Sequence, residues 1–286
     1  MPESVGQTLL RAENVSRVVK GFAQQKMRML QLCQVDSSSS WIESYYREAS
    51  AILTGGTGSA IRGIPRLASF PEVTPTWTKV QAFIEKYGAQ HTISVEDVMT
   101  DNIPVLSRAL ERVGEAIANA IDIQIEAVIN ADAGNSVAIA AGSEWNASVI
   151  ADRDPIANIL SAQREIFIDN YDALENGFLV LSPTDYANLM GNAKFLSHPT
   201  FKSVSAVENG KVSQVLGLTI IVSNVVTADQ AYVVIAKKAL TWKETAPLTI
   251  ITKQEEGVSY TIRGWAFGVA QLTDPNAVAK ITNTQA

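Results

Sequence analysis

The sequence predicts an α+β fold, and three features of the chain support this prediction. The stretch from Ile103 to Asn130 carries apolar residues at helical spacing. Alternating apolar and polar residues precede it, around 79–84 and 91–95, as in exposed strands. After residue 133, short helical patterns alternate with short apolar runs, and strand patterns close the chain.

The composition is that of a globular protein with a large core. The chain has 286 residues, of which 47% are hydrophobic and 18% charged, with a formal net charge of −6. This charge argues against a protein whose main task is to coat nucleic acid, because that task needs a basic face. A single cysteine, Cys33, excludes an internal disulfide framework and a thiolate metal site. No signal peptide or membrane span is expected, so synthesis in a cytoplasm is predicted.

Residues 1–41 are predicted to form an N-terminal segment with loosely helical spacing that ends at the polar run "DSSSS". Five basic residues against two acidic ones give this segment a charge of +3: Arg11, Arg17, Lys20, Lys26 and Arg28 against Glu3 and Glu13. Two interpretations stay open. The basic residues form a solvated helix face, or the segment is an arm that faces something anionic.

An extended ribbon is predicted after this segment. Two extended stretches, 41–51 and 76–94, flank a middle rich in Gly, Pro and Ser, with Gly55, Gly56 and Gly58 at a flexible tip. Aromatic residues stand on both stretches, as cross-strand pairs or as interface anchors: Trp41, Tyr45, Tyr46 and Trp77. Because an isolated two-stranded hairpin is marginally stable in water, the ribbon is expected to lie on another subunit.

The long helix has a first-turn proline, Pro104, and an apolar stripe along one face. At 1.5 Å per residue it would be roughly 40 Å long. Its stripe consists of Leu106, Leu110, Val113, Ile117, Ile121, Ile125 and Val128.

Helices and strands are predicted to alternate in the second half. A helix follows Asp154, with Ile156, Ile159, Leu160 and Phe167 on its apolar side. The run 178–181 is a buried strand, followed by a helix that Ser182 and Asp185 cap and Gly191 ends. Asn209-Gly210 predicts a hairpin turn and 231–236 another buried strand. Three amphipathic strands are expected at the end, "LTIITK", "VSYTIR" and "WAFGVAQL", with Trp265 and Phe267 in the core.

Candidate chemical groups are sparse. The two histidines, His91 and His198, lie far apart, and no nucleophile elbow accompanies them. Asp122 and Glu126 are one helical turn apart, a spacing more typical of a solvated face than of an acid–base pair or metal site. The glycines near residue 55 match neither a P-loop nor a dinucleotide fingerprint. The sequence therefore predicts no enzyme, no cofactor and no metal.

The order of these parts resembles the major capsid protein of tailed bacteriophages, a family with the Hong Kong 97 fold that encapsulin shells share. The passage "KVQAFIEKYGAQHTISVEDVMTDNIPVLSRAL" is similar to the family's transition from extended loop to spine helix. "GFLVLSPTDYANLM" resembles its strand and helix of the apical domain, and "YTIRGWAFGVAQLTDPNAVAKI" resembles its closing strands. The resemblance covers nearly the whole chain.

The resemblance implies a domain layout and an assembly. It implies an N-terminal arm at 1–41, an extended β-hairpin loop at 42–92, a peripheral domain with the spine helix at 93–132 and 238–286, and an apical α/β domain at 133–237. Family members form pentamers and hexamers that close into an icosahedral shell around double-stranded DNA. Since the loop tip has Arg62 and Arg66 but no lysine, the isopeptide cross-link of some members is not expected.

The implied partners are other copies of the chain, a scaffolding protein, a portal, decoration proteins, and packaged DNA held by weak non-specific contact. No membrane is expected, and the implied location is the virion, after assembly in the host cytoplasm. Interface residues are expected on the loop and at the apical turn: Trp41, Tyr45, Tyr46, Arg62, Arg66, Trp77, Asn209 and Gly210. Two alternatives stay open, an encapsulin compartment that packages a cargo enzyme and an α/β enzyme with a dispersed active site.

Overall fold

A computed structural model of the chain describes residues 17–21, 23, 26–48, 64–69, 77–100, 103–192 and 214–286. The predictions for Arg62, His198, Asn209 and Gly210, and for the glycines at 55, 56 and 58, lie outside these residues. Within the described residues, strands form a four-stranded, a six-stranded and a two-stranded sheet, and helices pack on the two larger ones. The predicted α+β class is confirmed.

The four-stranded sheet has the strand order β1 (Cys33–Ser37), β10 (Leu240–Glu255), β11 (Ser259–Leu272) and β4 (Glu85–Ser94). Strands β10 and β11 form a long antiparallel hairpin, β4 pairs antiparallel with β11 over residues 85–94, and β1 runs parallel to β10. The last two predicted strands are therefore one strand, β11, because Gly264 continues the pairing without a break. Strand β1 comes from the N-terminal segment, which therefore contributes one strand to this sheet.

The predicted long helix is confirmed as α2 (Ile103–Asp132), which follows a short helix, α1 (Val95–Met99). One side of α2 is buried against β4 and β11. Burying one large aliphatic side chain contributes about 2 kcal/mol, so this face holds the helix on the sheet. The large apolar side chains buried on this side are Leu110, Val113, Ile117, Ile121, Ile125 and Ile129. The predicted stripe is therefore wrong at its end, where Ile129 is buried and Val128 is half-buried.

The prediction that Trp265 and Phe267 lie in the core is wrong. Both side chains are half-buried on the face of the sheet that points away from α2, whereas Ile262, Gly264 and Ala266 alternate with them and face the helix. The small residues lie inside because helix and strand backbones approach closely there. A carbon placed on Gly264 would come within 2.9 Å of the Ile117 Cδ1 atom.

The six-stranded sheet has the order β5 (Asn135–Ala138), β12 (Val278–Thr282), β9 (Gln230–Ile235), β6 (Gly177–Leu181), β8 (Leu218–Val222) and β7 (Gln214–Val215). The predicted buried strands are confirmed as β6 and β9, which lie side by side in its centre. Strands β7 and β8 form a hairpin whose turn, Leu216-Gly217, has positive φ at both residues, as a type I′ turn requires.

Two capped helices flank this sheet. Helix α3 (Pro155–Ile168) begins where the Asp154 carboxylate accepts the Ala157 N–H, and α4 (Pro183–Met190) where the Ser182 hydroxyl accepts the Asp185 N–H. Both caps were predicted. The predicted apolar side of α3 is partly wrong, because Ile159, Ala162 and Ile166 are buried while Leu160 and Phe167 are exposed.

Candidate assembly surface

The two-stranded sheet forms a ribbon whose strands belong to neither of the two larger sheets. Its strands are β2 (Ile42–Glu48) and β3 (Trp77–Phe83), which pair antiparallel with Ile42 opposite Phe83 and Glu48 opposite Trp77. Neither strand pairs with another described strand. Since successive side chains in a strand point to opposite sides, the ribbon has two faces of different character.

The outer face of the ribbon carries large apolar side chains in two pairs. Ile42 and Phe83 are direct neighbours across the strands, and the rings of Tyr46 and Trp77 lie 5.9 Å apart at 48°. These four side chains are 50–63% exposed. Between the two pairs lie the polar residues Ser44 and Gln81, opposite each other. Covering the exposed half of one aromatic side chain contributes about 2 kcal/mol, so this face is suited to bind another surface.

The inner face of the ribbon is half-buried and turned toward the rest of the chain. It presents Tyr45, Val80 and Arg47. The Arg47 guanidinium forms an ion pair with Asp132, the last residue of α2, and donates to the Tyr45 hydroxyl at 3.2 Å. The ribbon therefore rests on the end of the long helix with one face and leaves the other uncovered.

The base of the ribbon is fixed to the four-stranded sheet. The Trp41 ring meets Phe267 of β11 edge to face, with centroids 5.6 Å apart, and the Ile84 N–H donates to the Trp41 carbonyl at 3.1 Å. The half-exposed Phe267 side chain is thus part of the contact between the ribbon and the four-stranded sheet. Lys86 on β4 lies over the same Phe267 ring, 5.5 Å from its centroid.

The structure places four of the residues predicted to contact other subunits in the ribbon or at its base, and it brings two of them, Tyr46 and Trp77, into contact. Tyr46 and Trp77 share the outer face, Tyr45 lies on the inner face, and Trp41 lies at the base. Arg66 is exposed in the short described stretch 64–69. Their role in contacts between subunits stays a prediction. Sequence reasoning missed Ile42, Phe83 and Arg47, although the period-two spacing of Ile42, Ser44 and Tyr46 places Ile42 on the same face as Tyr46.

The interpretation of Asp122 and Glu126 as a solvated pair is wrong, because both are buried. Asp122 accepts the backbone N–H groups of Arg28 at 3.0 Å and Met29 at 3.2 Å, which fixes the N-terminal segment to α2. Its burial raises its pKa to about 6, against the lowering effect of these hydrogen bonds.

Glu126, one turn further along α2, accepts the Thr227 N–H at 3.1 Å and the Tyr232 hydroxyl at 2.9 Å. Together with Asp122 it joins α2 to distant parts of the chain. Both carboxylates thus have structural partners.

No other cluster in the described residues suggests chemistry. His91 is exposed on β4, and no group of three or more histidine, cysteine or acidic side chains there is arranged to hold a metal ion. Among the described residues, no helix is both long and apolar enough to cross a membrane.

Comparisons with known proteins identify the family. A family model described as phage capsid protein matches residues 77–281. No curated protein sequence matches the chain. Solved structures give the same fold at low sequence identity. The virus-like particle from Pyrococcus furiosus is 10% identical, with 94% of this chain and 98% of that chain covered and a TM-score of 0.63.

Two phage structures resemble this chain with similar TM-scores. The capsid of cyanophage P-SCSP1u is 15% identical over 88% of this chain and 86% of that chain, with a TM-score of 0.64. Mycobacterium phage Che8 is 16% identical over 99% and 93%, with a TM-score of 0.60. The chain therefore belongs to the phage capsid protein family and has the Hong Kong 97-like capsid fold.

Proposed function

We propose that this chain is the major capsid subunit of a tailed bacteriophage, which assembles through pentamers and hexamers into an icosahedral shell around double-stranded DNA. The observation that supports this most directly is the outer face of the ribbon, with Ile42, Tyr46, Trp77 and Phe83 exposed in one subunit. A neighbouring subunit covers this face in the shell. The role is structural, without catalysis or a cofactor, and the protein is located in the virion.

The net charge of −6 supports a shell that a motor fills rather than one that condenses its own genome. Condensation needs many phosphate contacts from a strongly basic surface. In this proposal the subunit meets DNA only through weak non-specific contacts. A scaffolding protein, a portal and decoration proteins are further partners, and assembly takes place in the host cytoplasm.

The proposed domain layout follows the same family. The arm is 1–41, the extended loop 42–92, the peripheral domain 93–132 with 238–286, and the apical domain 133–237. The four-stranded sheet with α2 supports a peripheral unit, and the six-stranded sheet with α3 and α4 supports an apical one. Three strands do not follow these bounds, because β1 and most of β4 lie in the four-stranded sheet and β12 lies in the six-stranded sheet.

The first test removes apolar area from the outer face. The double variant Tyr46→Ser with Trp77→Ser keeps the fold, because both side chains are exposed, and forms at least tenfold fewer closed particles by electron microscopy and size-exclusion chromatography. The matched control, Ser44→Ala with Gln81→Ala, changes the polar pair on the same face and assembles normally. Particles in unchanged yield from the first variant would contradict the proposed role of the ribbon.

The encapsulin alternative gives a different result in the same preparations. A shell that copurifies with one enzyme in its lumen would favour a cargo compartment. Particles that form only with a scaffolding protein would favour the phage capsid.

A further inference from the structure

The ion pair between Arg47 and Asp132 joins the ribbon to the end of α2. Arg47 is the sixth residue of β2, so its Cα lies roughly 17 Å along the strand from Ile42 at the base. In the described part of the chain, no other ion pair joins β2 or β3 to the rest of the fold. The remaining attachments described above, Trp41 on Phe267 and the Ile84 N–H on the Trp41 carbonyl, are at the base.

The surroundings of this ion pair favour a fixed position for Arg47. The side chains of Arg47 and Asp132 are only 21% and 37% exposed. The guanidinium lies 5.8 Å from the centroid of the Tyr45 ring and donates to the Tyr45 hydroxyl. Asp132 ends a 30-residue helix, whose last carbonyl groups add partial negative charge beside the guanidinium. Partial burial also reduces the screening of this charge pair by salt.

The ribbon joins β4 through a one-residue break in the strand. Ile84 is the single residue between β3 and β4, and it is outside both strands. A ribbon held only at its base could rotate about this point, and its outer face would then have no fixed direction. Because a two-stranded hairpin without further contacts is marginally stable, such a ribbon would also open its own β2–β3 hydrogen bonds more often. A second contact at Arg47, far from this break, fixes that direction.

We infer that Arg47 and Asp132 act as a positioning latch that holds the ribbon against the end of α2 and sets the direction of its outer apolar face. This inference rests on the proposed function, since the latch matters because the ribbon binds a neighbour. The latch also determines which subunits can join a shell. Subunits with the ribbon held present the face of Ile42, Tyr46, Trp77 and Phe83 in one orientation, and subunits with the ribbon released do not.

Hydrogen exchange on the isolated full-length subunit tests the latch without assembly. Arg47→Gln and Asp132→Asn are each expected to speed the exchange of amides in 42–48 and 77–83 at least fivefold, while amides in β10 and β11 keep their rates. The charge reversal, Arg47→Asp with Asp132→Arg, restores slow exchange because the ion pair forms again. A merely local packing role would not show this rescue.

The Lys243–Asp36 ion pair provides a matched control. It joins β1 to β10 with side chains 26% and 37% exposed, close to the values for the latch. Asp36→Asn is expected to leave exchange in the ribbon unchanged. Unchanged ribbon exchange in Arg47→Gln and Asp132→Asn, or no rescue by the reversal, would overturn the latch. Faster ribbon exchange with normal shell assembly would support the latch and count against the proposed role of the ribbon.

Discussion

At the residue scale, Asp122 is a buried carboxylate in the core between α2 and the N-terminal segment. It is 3% exposed and accepts hydrogen bonds from Arg28 and Met29. Burial raises the pKa of this carboxyl group to about 6, although the backbone hydrogen bonds from Arg28 and Met29 and the Arg28 charge lower it. The other titratable groups near it are Cys33, whose thiol pKa rises through burial and the Asp122 charge, and Glu126 one turn away. Deprotonation of Asp122 therefore places a charge in the interior.

The pH dependence of stability follows from this shift. The folded carboxyl group takes up a proton at higher pH than an unfolded aspartate, whose pKa is about 3.9. The resulting stabilisation is fully present below about pH 4 and is lost as the pH rises through about 6, by about 3 kcal/mol. Urea unfolding of the isolated subunit at pH 4 to 7 measures it. The free energy of unfolding, relative to Asp122→Asn, should fall across this range, and a constant difference would contradict the assignment.

At the element scale, two glycines of β11 set how closely its neighbours pack. Gly264 faces α2, and a Cβ there would come within 2.9 Å of the end of the flexible Ile117 side chain. Gly268 lies against the Trp242 indole, where a Cβ would come within 2.4 Å of Cζ2 and 3.0 Å of the Lys243 carbonyl. A rigid ring and backbone cannot move away as a methyl group can.

Gly268→Ala is therefore expected to destabilise the subunit more than Gly264→Ala. Overpacking of this kind costs about 1–3 kcal/mol, and we expect Gly268→Ala at the upper end and Gly264→Ala at the lower end. Chemical denaturation of both variants beside the natural chain measures the difference. Equal losses, or a larger loss for Gly264→Ala, would show that Trp242 moves more easily than its packing suggests.

The same strand shows what the sequence could and could not predict. Alternation predicted an amphipathic strand around Trp265 and Phe267, but alternation does not say which face is inside. The buried face is the one with the small residues Gly264 and Ala266, because α2 lies close to it. Local signals, by contrast, gave the start of α2 and the caps at Asp154 and Ser182, since their causes lie within one turn of chain.

The same distinction between local and long-range causes applies to the residues of the ribbon and its attachment. The aromatic residues of the ribbon were visible in the sequence, where they predicted either cross-strand pairs or interface anchors, and the rings of Tyr46 and Trp77 do pair across the strands. The ion pair of Arg47 with Asp132 was not visible, since it joins residues 85 positions apart. Asp122 was misread for a similar reason, because its hydrogen-bond donors lie 93 and 94 positions away and leave no local pattern.

At the scale of the whole molecule, the subunit has a well-buried body and a ribbon that leaves apolar area uncovered. The two larger sheets share one hydrophobic core with the helices, whereas the outer face of the ribbon contributes none of its large side chains to that core. The stability of the shell should therefore exceed that of the subunit, since contacts between copies add to folding by mass action.

The rings on the outer face of the ribbon are therefore expected to stabilise the shell and not the isolated subunit. Tyr46→Ser with Trp77→Ser should leave the thermal midpoint of the isolated subunit nearly unchanged, because both rings are exposed there and contact chiefly each other. The same change should lower the midpoint of any shell that still forms, because each covered ring contributes about 2 kcal/mol per subunit. Calorimetry of subunits and shells at equal protein concentration measures both, with Ser44→Ala and Gln81→Ala as control. If subunit and shell lose the same amount, the rings stabilise the chain itself, and the apolar face of the ribbon is not the contact that holds the shell together.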